Sequence, residues 1–268
     1  MQKEIKQMKT FRMIGMALIA VMMCANFASC SKEDDATSQG NDGIGGEEVV
    51  AKEKKLAKIV GVSGSDTETY EFSYDDKGRV VKASEIDKYD DSYYKYEYQF
   101  VWGDDAIIAN IKRSSNSDSD YSSTLTLEDG LVQSCNDDET YSYNKSGRIS
   151  SRKFIVTQSY LWDSDKLVSV IYKEPEKRVF TYGTSCQKGY IPLFLFRIEI
   201  GCEILYLANP ELIGARTTQL PTSGTYINSS GEEGKTTTFA YEFDKEGYIT
   251  KVTAKQDGET TTYTLTWK

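Results

Sequence analysis

Tyr70-Glu71-Phe72-Ser73-Tyr74-Asp75-Asp76-Lys77-Gly78-Arg79-Val80 carries the plan of the chain. Aromatic residues alternate with polar ones, an Asp follows, two polar residues lead to a glycine, and a long and then a β-branched side chain come after it. Alternation of period two belongs to a half-buried strand. Asx suits the first position of a type I turn, and glycine supplies the positive φ that lets a second strand leave. The same order returns at Tyr141-Ser142-Tyr143-Asn144-Lys145-Ser146-Gly147-Arg148-Ile149 and at Tyr241-Glu242-Phe243-Asp244-Lys245-Glu246-Gly247-Tyr248-Ile249. Each copy predicts a β-hairpin.

Looser relatives fill the intervals, at Phe100 to Ile108, Leu125 to Val132 and Tyr160 to Val168. The chain reads as a long antiparallel meander. Gly78, Gly103, Gly130 and Gly147 are unevenly spaced, so the repeat is degenerate rather than a strict solenoid.

Alternation runs longest from Tyr93 to Trp102. Tyr94, Tyr96, Tyr98, Phe100 and Trp102 share one face, and Tyr93, Lys95, Glu97, Gln99 and Val101 the other. A half-buried antiparallel strand needs one apolar side, so this row reads first as core. A row of aromatics is also a platform for stacking sugar rings, and Trp102 and Trp162 are the candidate ligand-stacking residues.

One stretch breaks the meander. Ile191 to Asn209 is apolar but holds Arg197, Glu199 and Glu203, which argue against a membrane span. Phe194, Phe196, Ile198 and Ile200 would suit a strand. Glu199 and Glu203 would share one face of a helix opening at Pro192, and a helix covering an open side of the sheet is the preferred reading. Asn209-Pro210 should end it.

The N-terminus reads as an address. Lys3, Lys6, Lys9 and Arg12 precede an apolar run from Met13 to Phe27, and Ala28-Ser29 leads into Cys30. That is the order of a cleaved secretory signal, and it resembles the bacterial lipobox, whose cysteine is acylated and becomes the new N-terminus. A permanent membrane helix needs about 20 apolar residues, more than this run offers. Cys24 is a poorer acceptor because Met22 and Met23 are bulky. Ser31-Lys32-Glu33-Asp34-Asp35 resembles the acidic export tag of bacterial surface lipoproteins, and it is also a solvated tether. Ala36 to Glu48 is a flexible linker. The expected organisation is a signal peptide over 1–29, a lipidated cysteine with tag and linker over 30–51, and one all-β domain over 52–268.

Composition narrows the function. The chain has 268 residues and net charge −9; without residues 1–29 it holds 28 basic against 40 acidic residues, a net of −12. Such a domain has no electrostatic footprint for nucleic acid or for an anionic lipid surface. There is no histidine, hence no use of the commonest general base at neutral pH. Gly61-Val62-Ser63-Gly64 only approaches a nucleophile elbow, since Ser65 stands where a second glycine belongs. No phosphate loop, dinucleotide fingerprint or zinc spacing occurs. A glycosidase needs only two carboxylates at the right separation, but no pair is singled out. Asp104, Asp105, Asp118, Asp120, Asp137 and Asp138 invite a calcium reading, yet lack the order of a known loop, and turn chemistry explains them as well. Cys135, Cys186 and Cys202 leave an odd number, read as buried small residues or as one disulfide with a spare thiol. No cofactor and no metal are expected.

The Tyr-x-Tyr-Asp/Asn-x-x-Gly-Arg hairpins, the lipobox, the acidic tag, the loop from Pro210 to Pro221 and the last strand ending Tyr263-Thr264-Leu265-Thr266-Trp267 together resemble a family of bacterial surface lipoproteins, domain of unknown function family 4595, with a porin-like fold. The likeness spans roughly Lys55 to Trp267. The hairpins are also similar to the tyrosine-aspartate repeats of large secreted shells. What the resemblance implies is an all-β chain: an antiparallel meander of repeated hairpins forming a curved or partly closed, barrel-like sheet, with one short helical or irregular covering segment near residues 191–209. It carries over no catalytic residues. The expected protein is a surface-exposed lipoprotein on the outer membrane, held there by its lipid, binding a glycan or a protein without enzymatic turnover. The alternatives are a two-carboxylate glycoside hydrolase and a structural envelope component.

Overall fold

The computed structural model describes residues 53–89, 92–114, 120–136, 138–192 and 203–268. Cys30, the tag Ser31 to Asp35, Asp118, Asp137, Cys202 and residues 193–202 of the covering segment lie outside them.

Sixteen strands follow one another in order: β1 (Leu56–Ser63), β2 (Asp66–Tyr74), β3 (Val80–Tyr89), β4 (Ser92–Trp102), β5 (Ala106–Arg113), β6 (Tyr121–Glu128), β7 (Leu131–Cys135) and β8 (Glu139–Tyr143). Then come β9 (Ile149–Lys153), β10 (Thr157–Asp163), β11 (Lys166–Lys173), β12 (Glu176–Ser185), β13 (Gln219–Ile227), β14 (Glu233–Phe243), β15 (Ile249–Gln256) and β16 (Glu259–Trp267). Each pairs antiparallel with its neighbours, and β1 pairs with β16 from Leu56↔Trp267 to Ser63↔Thr261, so the sheet closes into a barrel. This corrects the expected partial closure. Closure leaves no edge strand to recruit another chain.

In an up-and-down barrel alternate turns fall at alternate ends. All six hairpins read from the sequence turn at one end, and both ends of the domain meet there, Lys55 and Lys268 exchanging two backbone hydrogen bonds of 2.7 and 2.9 Å. The repeated turns are built as the residues dictate. Asp75 accepts at its carbonyl from Gly78 N–H (2.9 Å) and at Oδ1 from the N–H groups of Lys77 and Arg79, while Gly78 sits at φ 78°. Asn144 and Asp244 repeat the pattern. A further copy missed in the sequence, Asn228 with Gly231, turns at the opposite end between β13 and β14.

The covering segment lies between β12 and β13. A helix α1 (Glu203–Ala208) and a 3-10 turn (Pro210–Ile213) are formed, and Ile204 to Ala208 are all buried. So it does not cover an open side of a sheet; it plugs the end of a closed barrel. Asn209 Oδ1 accepts from Val80 N–H (3.3 Å), Thr217 donates to the Asp165 carbonyl (2.6 Å), Arg148 donates to the Arg216 carbonyl, and Tyr206 meets Tyr141 edge-on at 6.2 Å.

Beneath the plug each odd-numbered strand contributes at least one aliphatic residue with no exposed surface, among them Leu56, Val80, Ile107, Val132, Ile149, Leu167, Leu220 and Ile249. Each such side chain contributes roughly 1.5–3 kcal/mol by burial. The outer face is largely polar, with Glu97 and Gln99 on β4, Thr236 and Thr238 on β14, and Thr264 and Thr266 on β16 exposed. A lipid-facing barrel needs an apolar outer band on every strand, which these strands do not present.

Candidate functional site

At the end opposite the plug, the lumen face of β2 to β6 changes character along each strand. Register decides which side chains meet, because directly paired residues of an antiparallel sheet share a face. Phe72 pairs with Ala83 and Ala83 with Tyr98; next outward, Tyr70 pairs with Glu85 and Glu85 with Tyr96; last, Glu68 pairs with Asp87 and Asp87 with Tyr94. Tyr96 also pairs with Arg113, and Ile111 with Tyr121. An apolar interior thus gives way to a mouth of tyrosines, carboxylates and one arginine.

Burial follows the same gradient. Phe100 is buried, Tyr98 and Tyr96 are half-buried, Tyr94 is 36% exposed and Tyr121 52%. The Arg113 guanidinium lies 5.7 Å from the Tyr94 ring centroid and 5.4 Å from that of Tyr96, close enough for cation–π attraction.

Deeper in, Tyr98 donates to Glu85 at 2.8 Å and Tyr70 to Glu68 at 3.2 Å. Glu68 leans across Gly61, where an added Cβ would stand 2.7 Å from its Cγ and 3.0 Å from Tyr263, so glycine makes the room. Like charges directly opposite on a sheet repel. Burial raises the Glu85 carboxyl, and burial together with Glu85 pushes Asp87 up to about 7. The buried Oδ1 of Asp87 has no hydrogen-bond partner among the described residues. Across the lumen, Glu139 accepts from Arg152 and Tyr141, and Gln158 accepts from Tyr160 at 3.1 Å.

Trp102 and Trp162 are not in this mouth. Trp102 donates its indole N–H to the Val80 carbonyl, Trp162 to Ile149 and Trp267 to Ile249, each at 2.7 Å and at the plugged end. Arg79 and Arg148 lie over the first two rings at 5.4 and 5.0 Å. Tyr74, Tyr143, Tyr182 and Tyr241 likewise donate to the carbonyls of Leu56, Val132, Leu167 and Pro221. Among the even-numbered strands all but β6 lock onto the strand before them in this way, a packing device that competes with the stacking role expected for both tryptophans. The sequence reading missed the device. Its trace is an aromatic at the plugged end of those strands, as in Tyr74 before Asp75 and Tyr143 before Asn144.

The remaining candidates do not converge. Asp104 and Asp105 sit at the plugged end, whereas Asp120 and Asp138 sit at the opposite one. Among the described residues no three acidic, histidine or cysteine side chains gather to hold a metal ion. Ser63 ends β1 with no triad around it to name. Cys135 and Cys186 are buried, and burial pushes the Cys186 thiol up to about 11.

On the outside, the wall formed by β2 to β6 is dented. A groove of about 790 Å³ lies there, floored by outward residues such as Lys82, Gln99 and Asn110 and bordered by Tyr121.

This architecture defines a closed antiparallel barrel, plugged at one end, of the porin-like kind. The chain is similar to a porin-like protein from Bacteroides uniformis, with a TM-score of 0.60 and 18% identity over 80% of this chain and 98% of that one. A porin-like protein from Bacteroides vulgatus aligns over 81% of this chain and 99% of that one, at 11% identity and a TM-score of 0.36. At the first of these likenesses the fold is what is shared. No family model and no curated protein matches the chain.

Proposed function

We propose that the chain is a lipid-anchored surface barrel that binds a saccharide ligand at its open mouth, without turnover. The observation that carries this reading is the rim: Tyr94 and Tyr96 present lumen-side rings to Arg113, with Tyr121 further along the same face and carboxylates that accept from sugar hydroxyls beside them. Aromatic faces with a few convergent polar groups are the usual lining of a ligand site. The address agrees with the geometry. The chain enters β1 at the plugged end, so a tether from a lipidated Cys30 attaches at the end opposite the mouth. The residues between Cys30 and Glu53 span at most about 75 Å when extended.

A second reading is favoured by one observation. Glu68 stands opposite Asp87, whose carboxyl is pushed up to about 7 by burial beside Glu85, and a carboxyl of raised pKa facing a second one is what a glycoside hydrolase uses. A glycan array probed with the purified full-length protein, followed by a reducing-sugar assay on each hit, tests both. Selective binding with no new reducing ends supports the binding barrel. New reducing ends transfer the site to the hydrolase reading, and silence across the array removes the saccharide.

A further inference from the structure

We propose that the outer face of β2 to β6 carries a second ligand site, a groove that takes an extended oligosaccharide laid across the strands. The outer face of a closed barrel is convex unless its wall bends inward, and here it holds a depression of about 790 Å³. On the lumen side of the same wall stand Ala83 and Ala109, both buried, whose small side chains let the strands come inward.

The floor of the groove is a row in register. Ser73 pairs with Lys82, Lys82 with Gln99, Gln99 with Asn110 and Asn110 with Ser122. All five are exposed, and none makes a side-chain hydrogen bond or ion pair within the described residues. Strands lie about 4.8 Å apart, so the row offers a polar group at each step for roughly 19 Å. That interval is on the order of the advance of one pyranose ring along an extended glycan. Amides both donate and accept, as hydroxyls do, and the Lys82 ammonium donates to ring and hydroxyl oxygens or to a uronate.

Two of the three acidic residues that line the groove are already engaged, and the third, Asp120, stands at its β6 edge. Glu71 is held by Lys58 at 2.7 Å and Glu97 by Lys95 at 2.6 Å. They brace the groove's flank and leave the central row open. The face is polar and concave, which suits a hydroxyl-rich chain better than an apolar protein surface. Its floor is distinct from the mouth, since those five residues point the other way through the same strands; Tyr121, at the start of β6, borders both.

The test uses the full-length protein with cello-, xylo-, manno- and homogalacturono-oligosaccharides, from disaccharide to hexasaccharide, in isothermal titration. The expected result is affinity that rises with chain length until the row is spanned. Gln99→Leu with Asn110→Leu should weaken the longer chains at least tenfold, and Lys82→Ala should weaken them less, with the unfolding temperature unchanged. Thr264→Ala, exposed on β16 and outside the groove, should leave this binding intact. Equal affinity of the Gln99→Leu/Asn110→Leu protein and the parent chain would overturn the proposal, as would failure of every oligosaccharide to bind the parent.

Discussion

Trp162 reaches across β10 to donate its indole N–H to the Ile149 carbonyl on β9 at 2.7 Å, under the Arg148 guanidinium. Ile149 has no exposed surface, so its carbonyl has little water to turn to once the donor is removed. Trp162→Phe should therefore cost about 1–3 kcal/mol. Urea unfolding would read this as a lower midpoint with an unchanged slope. Saccharide binding at the far end should be untouched, and an unmoved midpoint would show the bond to be dispensable.

Two glycines separate strain from collision. Gly130 has φ 77° with nothing within 4 Å of an added Cβ, whereas at Gly214, φ 57°, a Cβ would fall 1.9 Å from the Gly147 carbonyl oxygen. Gly130→Ala should cost about 1–2 kcal/mol, the strain of a left-handed residue. Gly214→Ala must also push the plug away from the β8 to β9 turn and should lose several times more, through a mechanism that exceeds 4 kcal/mol only rarely. Thermal unfolding of both variants gives the order, and equal losses would contradict the docking of the plug.

Asp87 makes stability depend on pH. Its carboxyl titrates near 7 in the folded chain, above the roughly 3.9 of an exposed Asp. Between those values the folded state holds a proton that the unfolded state has released, so stability falls as pH rises from about 4 to about 7 and stays lower above it. Asp87→Asn should flatten that slope and raise the unfolding temperature at pH 8. A variant whose profile superimposes on the parent's would remove Asp87 from the account.

Cys186 is enclosed, and burial holds its thiolate back. Iodoacetamide at pH 8 should leave it unlabelled in the folded protein and label it in urea, by peptide mass mapping. Rapid native labelling of Cys186 would show the β12 end of the plug to be open.

The sequence made the hairpins legible because their signals are local. The turn at Asp75 to Gly78 needs only its own residues, and the same grammar located the Asn144 and Asp244 turns. Closure was not legible, since nothing in Leu56 to Ser63 marks a strand with a partner on both sides until Thr261 to Trp267 is brought to it. The tryptophans were ambiguous for a related reason: an indole at a strand end reads alike whether its N–H meets a carbonyl or its ring meets a sugar. The row Tyr94, Tyr96, Tyr98 was visible from alternation alone. The opposition of Glu68 and Asp87 was within reach, because counting pairs outward from the Gly78 turn gives it once the irregularity between Ser73 and Tyr74 is allowed.

The mouth is the centre of the account, and its rim gives the most direct measurement. The full-length protein and its Tyr94→Ala variant would be titrated with the tightest saccharide from the array, with unfolding temperatures recorded in parallel. The Tyr94 ring is 36% exposed and lies outside the outer groove, so the fold should survive its loss; truncating this stacking face should weaken binding about tenfold with no change in unfolding temperature. Identical affinity in the two proteins would contradict the claim that the open end of the barrel is where the ligand sits.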